Sequence, residues 1–270
     1  MKSLLAVDGD SFAHRAYHGL PKSIAHNAVV GFTNMIVRLW EQEEPRAVVV
    51  GWDTLTVPTY RHELFDGYQG GREFDDELLE QLDLLPELVR SFGFAAAKGD
   101  GYEADDFLAA AVKHEEERGG TSVVVTSDRD SFQLASDHTT ILQPTRGVSE
   151  LARVGPAEVR ERYSVDPAQV PDFIALRGDP SDKIPGARGV GPKTAANLLA
   201  QYGTLEAMLD DGRFEAQAEE LRLYRRMATL DASAPLPSLD DQTPNWTGAS
   251  SFVRQLGMNA QADRIAALAA

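Results

Sequence analysis

Three short apolar segments in the first half of the chain each lead into an aspartate. The segments cover residues 4–7, 47–50 and 122–126, and the aspartates are Asp8, Asp53 and Asp128. Stretches with helical periodicity lie between them, at residues 28–41, 77–92 and 105–118. Alternating strands and helices predict an α/β fold with a central, mostly parallel sheet flanked by helices. Because parallel strands end at the same edge of a sheet, we expect the three aspartates to converge on one crevice.

The second half of the chain has a different pattern. From residue 156 onward it is helical, interrupted by turns that contain glycine and proline. We therefore predict an α/β core over residues 1–155 and a helical region over residues 156–270. The stretch 234–247 contains three prolines and is expected to be a loop.

Further acidic residues are grouped at short spacing: Glu103, Asp105 and Asp106, then Asp128 and Asp130, then Asp179 and Asp182. Any one of them alone is more often a helix cap or a solvated turn residue. Nine carboxylates that face one crevice, however, cannot all remain ionised without cations. Hard divalent ions suit an all-oxygen site, so the pattern predicts bound Mg²⁺ or Mn²⁺. Two such ions can hydrolyse a phosphodiester.

A glycine-rich turn precedes the apolar helical segment 195–202. It is not a Walker A loop, since no lysine directly follows its last glycine, and it lacks the dinucleotide-binding fingerprint. It fits the hairpin of a helix–hairpin–helix element near residues 174–202, in which backbone N–H groups contact phosphate. The alternative is a plain turn between two helices. The candidate DNA contacts in this turn are Arg188, Gly189, Gly191, Lys193 and Thr194.

The composition adds one difficulty and several exclusions. A net charge of −16 argues against a nucleic-acid partner, although net charge does not locate the charges and bound metals would offset it. The absence of cysteine excludes disulfides and thiol chemistry. No apolar run is long enough to cross a membrane, and no signal-peptide pattern precedes the first strand. We expect a cytoplasmic protein, and a monomer because no oligomer signal is present.

These motifs together resemble the bacterial 5′-3′ exonuclease and flap endonuclease family, the module at the N-terminus of DNA polymerase I. The resemblance covers nearly the whole chain, in order. It is carried by six segments: Val7-Asp8-Gly9, Trp52-Asp53, Gly101 to Asp106, Thr126 to Asp130, Leu176 to Asp182 and Gly189 to Ala195.

The resemblance implies a PIN-like core with a helical arch near residues 58–92, over an active site with two or three divalent ions. The first ligand group would be Asp8, Asp53, Glu103 and Asp105, with Asp106 nearby. The second would be Asp128, Asp130, Asp179 and Asp182. The implied partner is DNA with 5′ ends or flaps, whose duplex is gripped by the hairpin, often with a bound K⁺.

Two positions depart from the family pattern. The arch usually carries a Tyr-Lys-x-x-Arg run that contacts the scissile phosphate, but here Gln69 stands between Tyr68 and Arg72 at the lysine position. These three are the candidate catalytic residues, and Arg61 is the other basic candidate for a DNA contact in this segment. Lys183 replaces the usual asparagine, and we expect its side chain to point to solvent.

Two rival interpretations come from the same residues. Asp8-Gly9-Asp10 after a first strand is similar to the start of a haloacid-dehalogenase-type phosphatase, although Asp10 is more simply a cap for the following helix. The replacement at Gln69 suggests instead a weakly active or non-catalytic binder of branched DNA. Retention of all nine acidic residues argues against an abandoned site.

Overall fold

The computed structural model describes residues 2–65, 67–68, 74–146 and 150–269. Of the candidate catalytic residues, Gln69 and Arg72 lie outside these ranges. In the described part, no helix is both long and apolar enough to cross a membrane.

A six-stranded sheet forms the centre of the molecule, with its strands in the order β3-β2-β1-β4-β5-β6. The strands are β1 (Leu4–Asp8), β2 (Ala47–Gly51), β3 (Ala95–Ala97), β4 (Ser122–Val125), β5 (Thr139–Arg146) and β6 (Glu150–Val154). All neighbouring pairs are parallel except β5 and β6, which form an antiparallel edge. The central strands are apolar and buried on both faces, as a covered parallel sheet requires. The predicted α/β fold with a mostly parallel sheet is confirmed.

Three strands were not predicted from the sequence. β3 consists of three alanines, which carry no strand signal of their own. β5 and β6 contain polar and charged positions because they form the edge of the sheet. These strands owe their position to pairing with their neighbours more than to their own composition.

Helices cover both faces of the sheet and form the second half of the chain. The first five are α1 (Gly9–Gly19), α2 (Asn27–Glu43), α3 (Tyr60–Leu64), α4 (Asp76–Ser91) and α5 (Ala104–Glu117). The next five are α6 (Pro156–Tyr163), α7 (Val170–Arg177), α8 (Pro192–Tyr202), α9 (Leu205–Asp210) and α10 (Ala218–Ala228). The last two are α11 (Trp246–Gln255) and α12 (Asn259–Ala266). Residues 234–245 contain no regular element, in agreement with the predicted loop.

Two hydrophobic cores lie on opposite faces of the sheet. Leu5 and Val7 of β1 point into a core shared with α1, α2, α4, α11 and α12. Leu4 and Ala6 point into a second core shared with α5 and the helices α7–α10. Alternation along the strand therefore assigns each helical layer to one face.

The second half of the predicted arch segment is not an arch. Helix α4 buries Leu78, Leu82, Leu85 and Val89 in the first core, where it packs against α2 and α11. The periodicity of apolar residues correctly predicted a helix here, but it does not indicate which part of the protein covers the apolar face of that helix.

The end of the chain returns to the first half. The loop before α11 passes the end of the sheet at which β2 begins. There Arg46 donates to the Leu239 carbonyl and pairs with the buried Glu115. The Gln242 side chain accepts the Val48 N–H at 2.8 Å. The predicted helical region beyond residue 156 therefore contributes helices to both cores.

Candidate metal centre and nucleic-acid interface

The three strand-end aspartates line one crevice of about 780 Å³ at the carboxyl edge of the sheet. Asp8 ends β1 and caps α1: it accepts the Ser11 N–H at 2.9 Å and the Thr126 hydroxyl at 2.8 Å. Asp53 accepts the Ala104 N–H at 2.7 Å, which ties the end of β2 to the start of α5. Asp128 lies on the exposed loop after β4 and accepts the Asp130 N–H at 2.9 Å. The convergence expected from strand topology is present.

Other acidic side chains join them. Glu103, Asp105 and Asp179 also line the crevice. Asp130 and Asp182 are buried beside it, and the charges of Asp128, Asp182 and Asp179 all act on Asp130. Eight of the nine predicted acids therefore lie in or directly beside one site.

Asp106, the ninth acid, is placed differently. It is fully buried and does not line the crevice. Both of its oxygens accept hydrogen bonds from Arg61, at 2.8 and 2.9 Å. The prediction that Asp106 is a metal ligand is not supported. Asp105 faces the crevice, and the next residue on the helix must point in another direction.

The prediction that Arg61 contacts DNA is also not supported by the structure. The Arg61 side chain is 2% exposed, and its guanidinium faces Glu103, Asp105 and Asp106. Its Nε donates to the Met227 carbonyl at 2.9 Å. Because an uncompensated buried charge is strongly destabilising, this guanidinium and its buried carboxylates depend on one another.

Asp10 also has a different place from the one expected. It does not cap α1, since Asp8 does so; its carboxylate accepts the Asp53 N–H at 2.7 Å and lines the crevice. Of the two aspartates in the Asp-Gly-Asp sequence, the first caps the helix, and not the second as expected. Asp10 is thus a further carboxylate of the site.

Basic groups also line the crevice, which the sequence argument did not anticipate. Arg177 stacks on Phe173, with 5.3 Å from its guanidinium carbon to the ring centre, and pairs with Asp179 at 3.2 Å. Arg129 and His14 also line the crevice. Arg129 follows directly on Asp128, and Arg177 precedes Asp179 by two residues, so the motifs that supply acids also supply cations.

Burial raises the pKa of several carboxyls in the site. Desolvation raises the pKa of Asp8 to about 7, and that of Glu103 also to about 7 despite the nearby Arg61. Burial and neighbouring carboxylates hold the pKa of Asp10, Asp105 and Asp130 well above the ordinary range. The protein alone does not stabilise this much negative charge.

The donor set fits hard divalent ions. The buried Oδ1 of Asp105 accepts no hydrogen bond, and its nearest cation is Arg61 at 3.8 Å. All the acidic ligands offer oxygen, which suits Mg²⁺ or Mn²⁺. Within the described ranges, no three acidic or histidine side chains already form a closed metal-binding group. Mutual repulsion of uncompensated carboxylates accounts for this open arrangement.

Tyr68, a candidate catalytic residue, is buried and donates its hydroxyl to Glu103 at 2.9 Å. Thr59 donates to the other oxygen of Glu103 at 2.8 Å. Tyr68 therefore orients a carboxylate of the site. The proposed roles of Gln69 and Arg72 stay predictions.

The glycine-rich turn connects α7 and α8 on the surface. Arg188, Gly189, Gly191, Lys193 and Thr194 are all exposed. Gly189 has φ +75, which the missing side chain permits, and neither it nor Gly191 has any atom within 4 Å of a Cβ built at that position. The first N–H groups of α8 have no partner within the helix and are open to an anion.

Lys183 is exposed, as expected, and has a left-handed backbone with φ +62. It lies in the turn closed by two hydrogen bonds between Asp179 and Ile184, both of 2.8 Å. Asparagine adopts this backbone conformation more readily than lysine. The asparagine that the resemblance leads us to expect here would therefore have a conformational reason.

Comparison with family models gives two consecutive matches. Residues 3–164 match the 5′-3′ exonuclease N-terminal resolvase-like domain, and residues 165–247 match the 5′-3′ exonuclease C-terminal SAM fold. The first match alone spans more than half of the chain.

Curated relatives are DNA polymerase I enzymes. The chain is 41% identical to that of Bacillus caldotenax over 238 residues, which are 85% of this chain and 27% of the relative. It is 33% identical to that of Bacillus subtilis over 98% of this chain and 32% of the relative. The chain thus spans about a third or less of these proteins.

Solved structures share the fold. A T5 5′-exonuclease with bound zinc superimposes with a TM-score of 0.74 at 21% identity, covering 99% of this chain and 100% of that chain. The catalytic core of Rad2 in complex with DNA substrate gives 0.63 at 17% identity, covering 98% and 90% of the two chains. These likenesses extend over both the sheet and the helical region. Together with the family matches, they decide against the phosphatase interpretation.

Proposed function

Because this chain belongs to the 5′-3′ exonuclease family, we propose that it is a magnesium-dependent nuclease that hydrolyses phosphodiester bonds of DNA near 5′ ends or 5′ flaps. The observation that carries the proposal is the crevice itself, where acids from three strand ends, from α5 and from the Asp179 turn meet. T5 and Rad2 structures of the same fold contain metal ions or DNA.

The carboxylates divide into two ligand groups in this proposal. Asp8, Asp53, Glu103 and Asp105 would hold one ion, with Asp10 beside them. Asp128, Asp130, Asp179 and Asp182 would hold the other. Bound divalent ions lower the pKa of a water molecule and neutralise charge on the reacting phosphate.

The chain's own residues keep these ligands in place. Ser11 and Thr126 each donate a hydrogen bond to Asp8, and Thr59 and Tyr68 each donate one to Glu103. Such partners fix the orientation of a ligand before a metal binds and limit the reorganisation required.

The basic groups that line the crevice suit a phosphate. The Arg177 guanidinium is held by Phe173 and Asp179, and Arg129 lies on the neighbouring loop. A planar guanidinium matches the oxygens of a phosphate, so these groups would orient the backbone beside the metal ligands. Carboxylate-bound metal ions and neighbouring guanidinium groups would then act on the same phosphodiester.

The hairpin between α7 and α8 would bind the duplex beside the cleaved strand. Exposed N–H groups at the start of α8, together with Arg188 and Lys193, suit backbone phosphates irrespective of sequence. K⁺ bound by carbonyl groups of the turn would add a positive charge there. The hairpin begins close to the crevice, because the Ala187 N–H donates to the Leu176 carbonyl near the C-terminal end of α7, where Arg177 and Asp179 line the crevice.

The deciding experiment compares a 5′-flap DNA with a duplex of the same sequence that lacks the flap, with and without Mg²⁺. We expect cleavage near the flap junction that requires the metal and is abolished by a chelator. Binding of the flap DNA without cleavage at any concentration of Mg²⁺ or Mn²⁺ would contradict the proposal and favour a non-catalytic binder. Mapping the products separates flap cleavage from stepwise removal of nucleotides.

A further inference from the structure

We propose that Asp106 is a positioning residue and not a metal ligand: it takes the short, bidentate hydrogen bonds of the Arg61 guanidinium, so that Glu103 and Asp105 make only longer ion pairs with Arg61 and stay available to a divalent ion. The inference rests on the proposed metal-dependent function. It assigns a separate role to two adjacent acids of one helix.

The hydrogen bonds of Asp106 leave its oxygens no room for a metal. One oxygen accepts from Arg61 at 2.8 Å and from the Asp231 N–H at 2.8 Å. The other accepts from Arg61 at 2.9 Å and from the Glu103 N–H at 3.0 Å. With its side chain fully buried, Asp106 has neither a free lone pair nor access to the crevice.

Asp105 shows the opposite arrangement. It lines the crevice, and its buried Oδ1 accepts no hydrogen bond. Adjacent helix positions point about 100° apart, so one residue can face the metal while the next faces the interior.

Arg61 lies between these two environments. Its guanidinium is within 3.4 Å of Glu103 and 3.8 Å of Asp105, whereas its contact with Asp106 is 2.8 Å and bidentate. Stacking on Tyr60 and the bond to the Met227 carbonyl hold the group in place. If Asp106 lost its charge, the nearest partners for this buried cation would be the two carboxylates of the metal site. A metal ion would then compete with Arg61 for them.

A mutant cycle on the full chain tests this, with Mn²⁺ binding measured by calorimetry and by the paramagnetic resonance signal of free Mn²⁺. Asp106→Asn keeps the shape of the side chain but removes its charge. We expect it to weaken Mn²⁺ binding at the Glu103 site by about 10- to 100-fold, the range for residues that orient metal ligands. The double variant Arg61→Gln/Asp106→Asn should bind Mn²⁺ at least as tightly as the wild type, since no competing cation remains.

Two results would overturn the proposal. If the double variant binds Mn²⁺ as weakly as Asp106→Asn, Asp106 acts as a ligand in its own right. If Asp106→Asn binds as tightly as the wild type, Arg61 does not compete for the site. Asp172→Asn is the matched control: Asp172 is also buried, accepts the Leu205 N–H and faces Arg225, but lies in α7 outside the crevice. Its substitution should leave Mn²⁺ binding unchanged.

A measurement on the wild-type protein tests the proposal without requiring that the variants fold. Crystals soaked in Mn²⁺ locate the ions by anomalous scattering. We expect an ion within bonding distance of Glu103 or Asp105 and none bonded to Asp106, whose oxygens keep Arg61 as their partner. An ion at about 2.2 Å from either Asp106 oxygen would refute the assignment.

The proposed nuclease function and this inference are tested by different measurements, so either one can be contradicted without the other. All of these readouts concern metal binding and require no DNA. A protein that binds Mn²⁺ as described but cleaves no flap DNA would lose the proposed activity and keep the role of Asp106.

Discussion

The crevice and the α7–α8 hairpin are opposite solutions to the binding of charged partners. The crevice uses buried side-chain carboxylates, placed by strand ends and fixed by hydrogen bonds. The hairpin uses exposed backbone N–H groups and two exposed cations, placed by glycines. The first arrangement demands well-defined ligand positions, while the second, in the proposed function, would tolerate any sequence of DNA.

This difference explains why the net charge of −16 is a poor guide to the partner. Nine of the 42 acidic residues lie in or directly beside one crevice, where metal ions would offset their charge. Basic groups lie on the separate surface of the hairpin and at Arg129 and Arg177 of the crevice wall. The location of charge, and not its sum, bears on nucleic-acid binding.

The largest effect is expected from breaking the crevice at one carboxylate. Asp128→Ala removes a proposed ligand on the exposed loop after β4, and should lower flap cleavage by more than about 100-fold. Duplex binding through the hairpin should change little, because Asp128 lies in the crevice. Rates of cleavage and binding constants measured in parallel check both parts. Normal turnover would remove Asp128 from the ligand set.

The metal-free crevice should also make stability depend on pH. The pKa of both Asp8 and Glu103 is raised to about 7, so each is protonated more readily in the folded than in the unfolded chain. Their contribution to the free energy of unfolding is therefore greatest in acid and falls as pH rises from about 4 to about 7. Mg²⁺ should reverse this loss near pH 7. Denaturant unfolding across this range, with chelator or with Mg²⁺, gives the measurement, and a slope unaffected by Mg²⁺ would count against metal binding at these groups.

The stability of the hairpin should depend on its backbone conformation, whereas the crevice depends on charge. Gly189→Ala places a side chain at φ +75 and should lower the free energy of unfolding by about 1–2 kcal/mol. Gly191→Ala is the matched control, since Gly191 has equally open surroundings but φ −96. Thermal unfolding of the two variants separates strain from crowding. Equal losses would show that the left-handed backbone is not what requires glycine.

Removal of one hairpin cation should have a smaller effect on DNA binding. Lys193→Ala should weaken duplex binding at low salt and reduce the slope of log K against log salt by about one unit. Lys113→Ala removes an equally exposed lysine from α5 and serves as the control. If both variants keep the slope of the wild type, Lys193 makes no phosphate contact.

The smallest effect is expected at the turn that joins the two regions. Lys183→Asn should raise the free energy of unfolding by about 0.5 kcal/mol, because asparagine tolerates the left-handed conformation better. The same change at Lys113, in the middle of α5, should instead be slightly destabilising. A loss of stability at Lys183 would indicate that its side chain makes a stabilising contact.

Much of the fold could be predicted because its signals are local. β1, β2 and β4 are apolar runs, and α2, α4, α5 and α8 begin and end within a few residues of their expected bounds. The strand-end positions of Asp8, Asp53 and Asp128 then follow from parallel topology. β3 and the β5–β6 edge depend on pairing with distant strands, so their own residues give little indication.

The departures from expectation at the site have one physical origin. Asp10 was expected to cap α1, Arg61 to contact DNA and Asp106 to lie among the metal ligands, but the position of each depends on which way its side chain points in the folded chain. Asp10 contacts a backbone N–H 43 positions away, and Arg61 meets Asp106 across 45 positions. Sequence spacing describes neighbours on one helix and does not describe partners brought together by the fold.

The return of α11 and α12 to the first core has a consequence for protein synthesis. Ala249, Val253, Ala262 and Ile265 fill the same core as Leu5 and Val7 of the first strand. The strands β1, β2 and β4 of that core have all been synthesised by Val125, roughly 120 residues before α11. At about 5–20 residues per second, that interval is roughly 6–24 s, in which the apolar surface stays uncovered and a chaperone or early association with another chain can intervene.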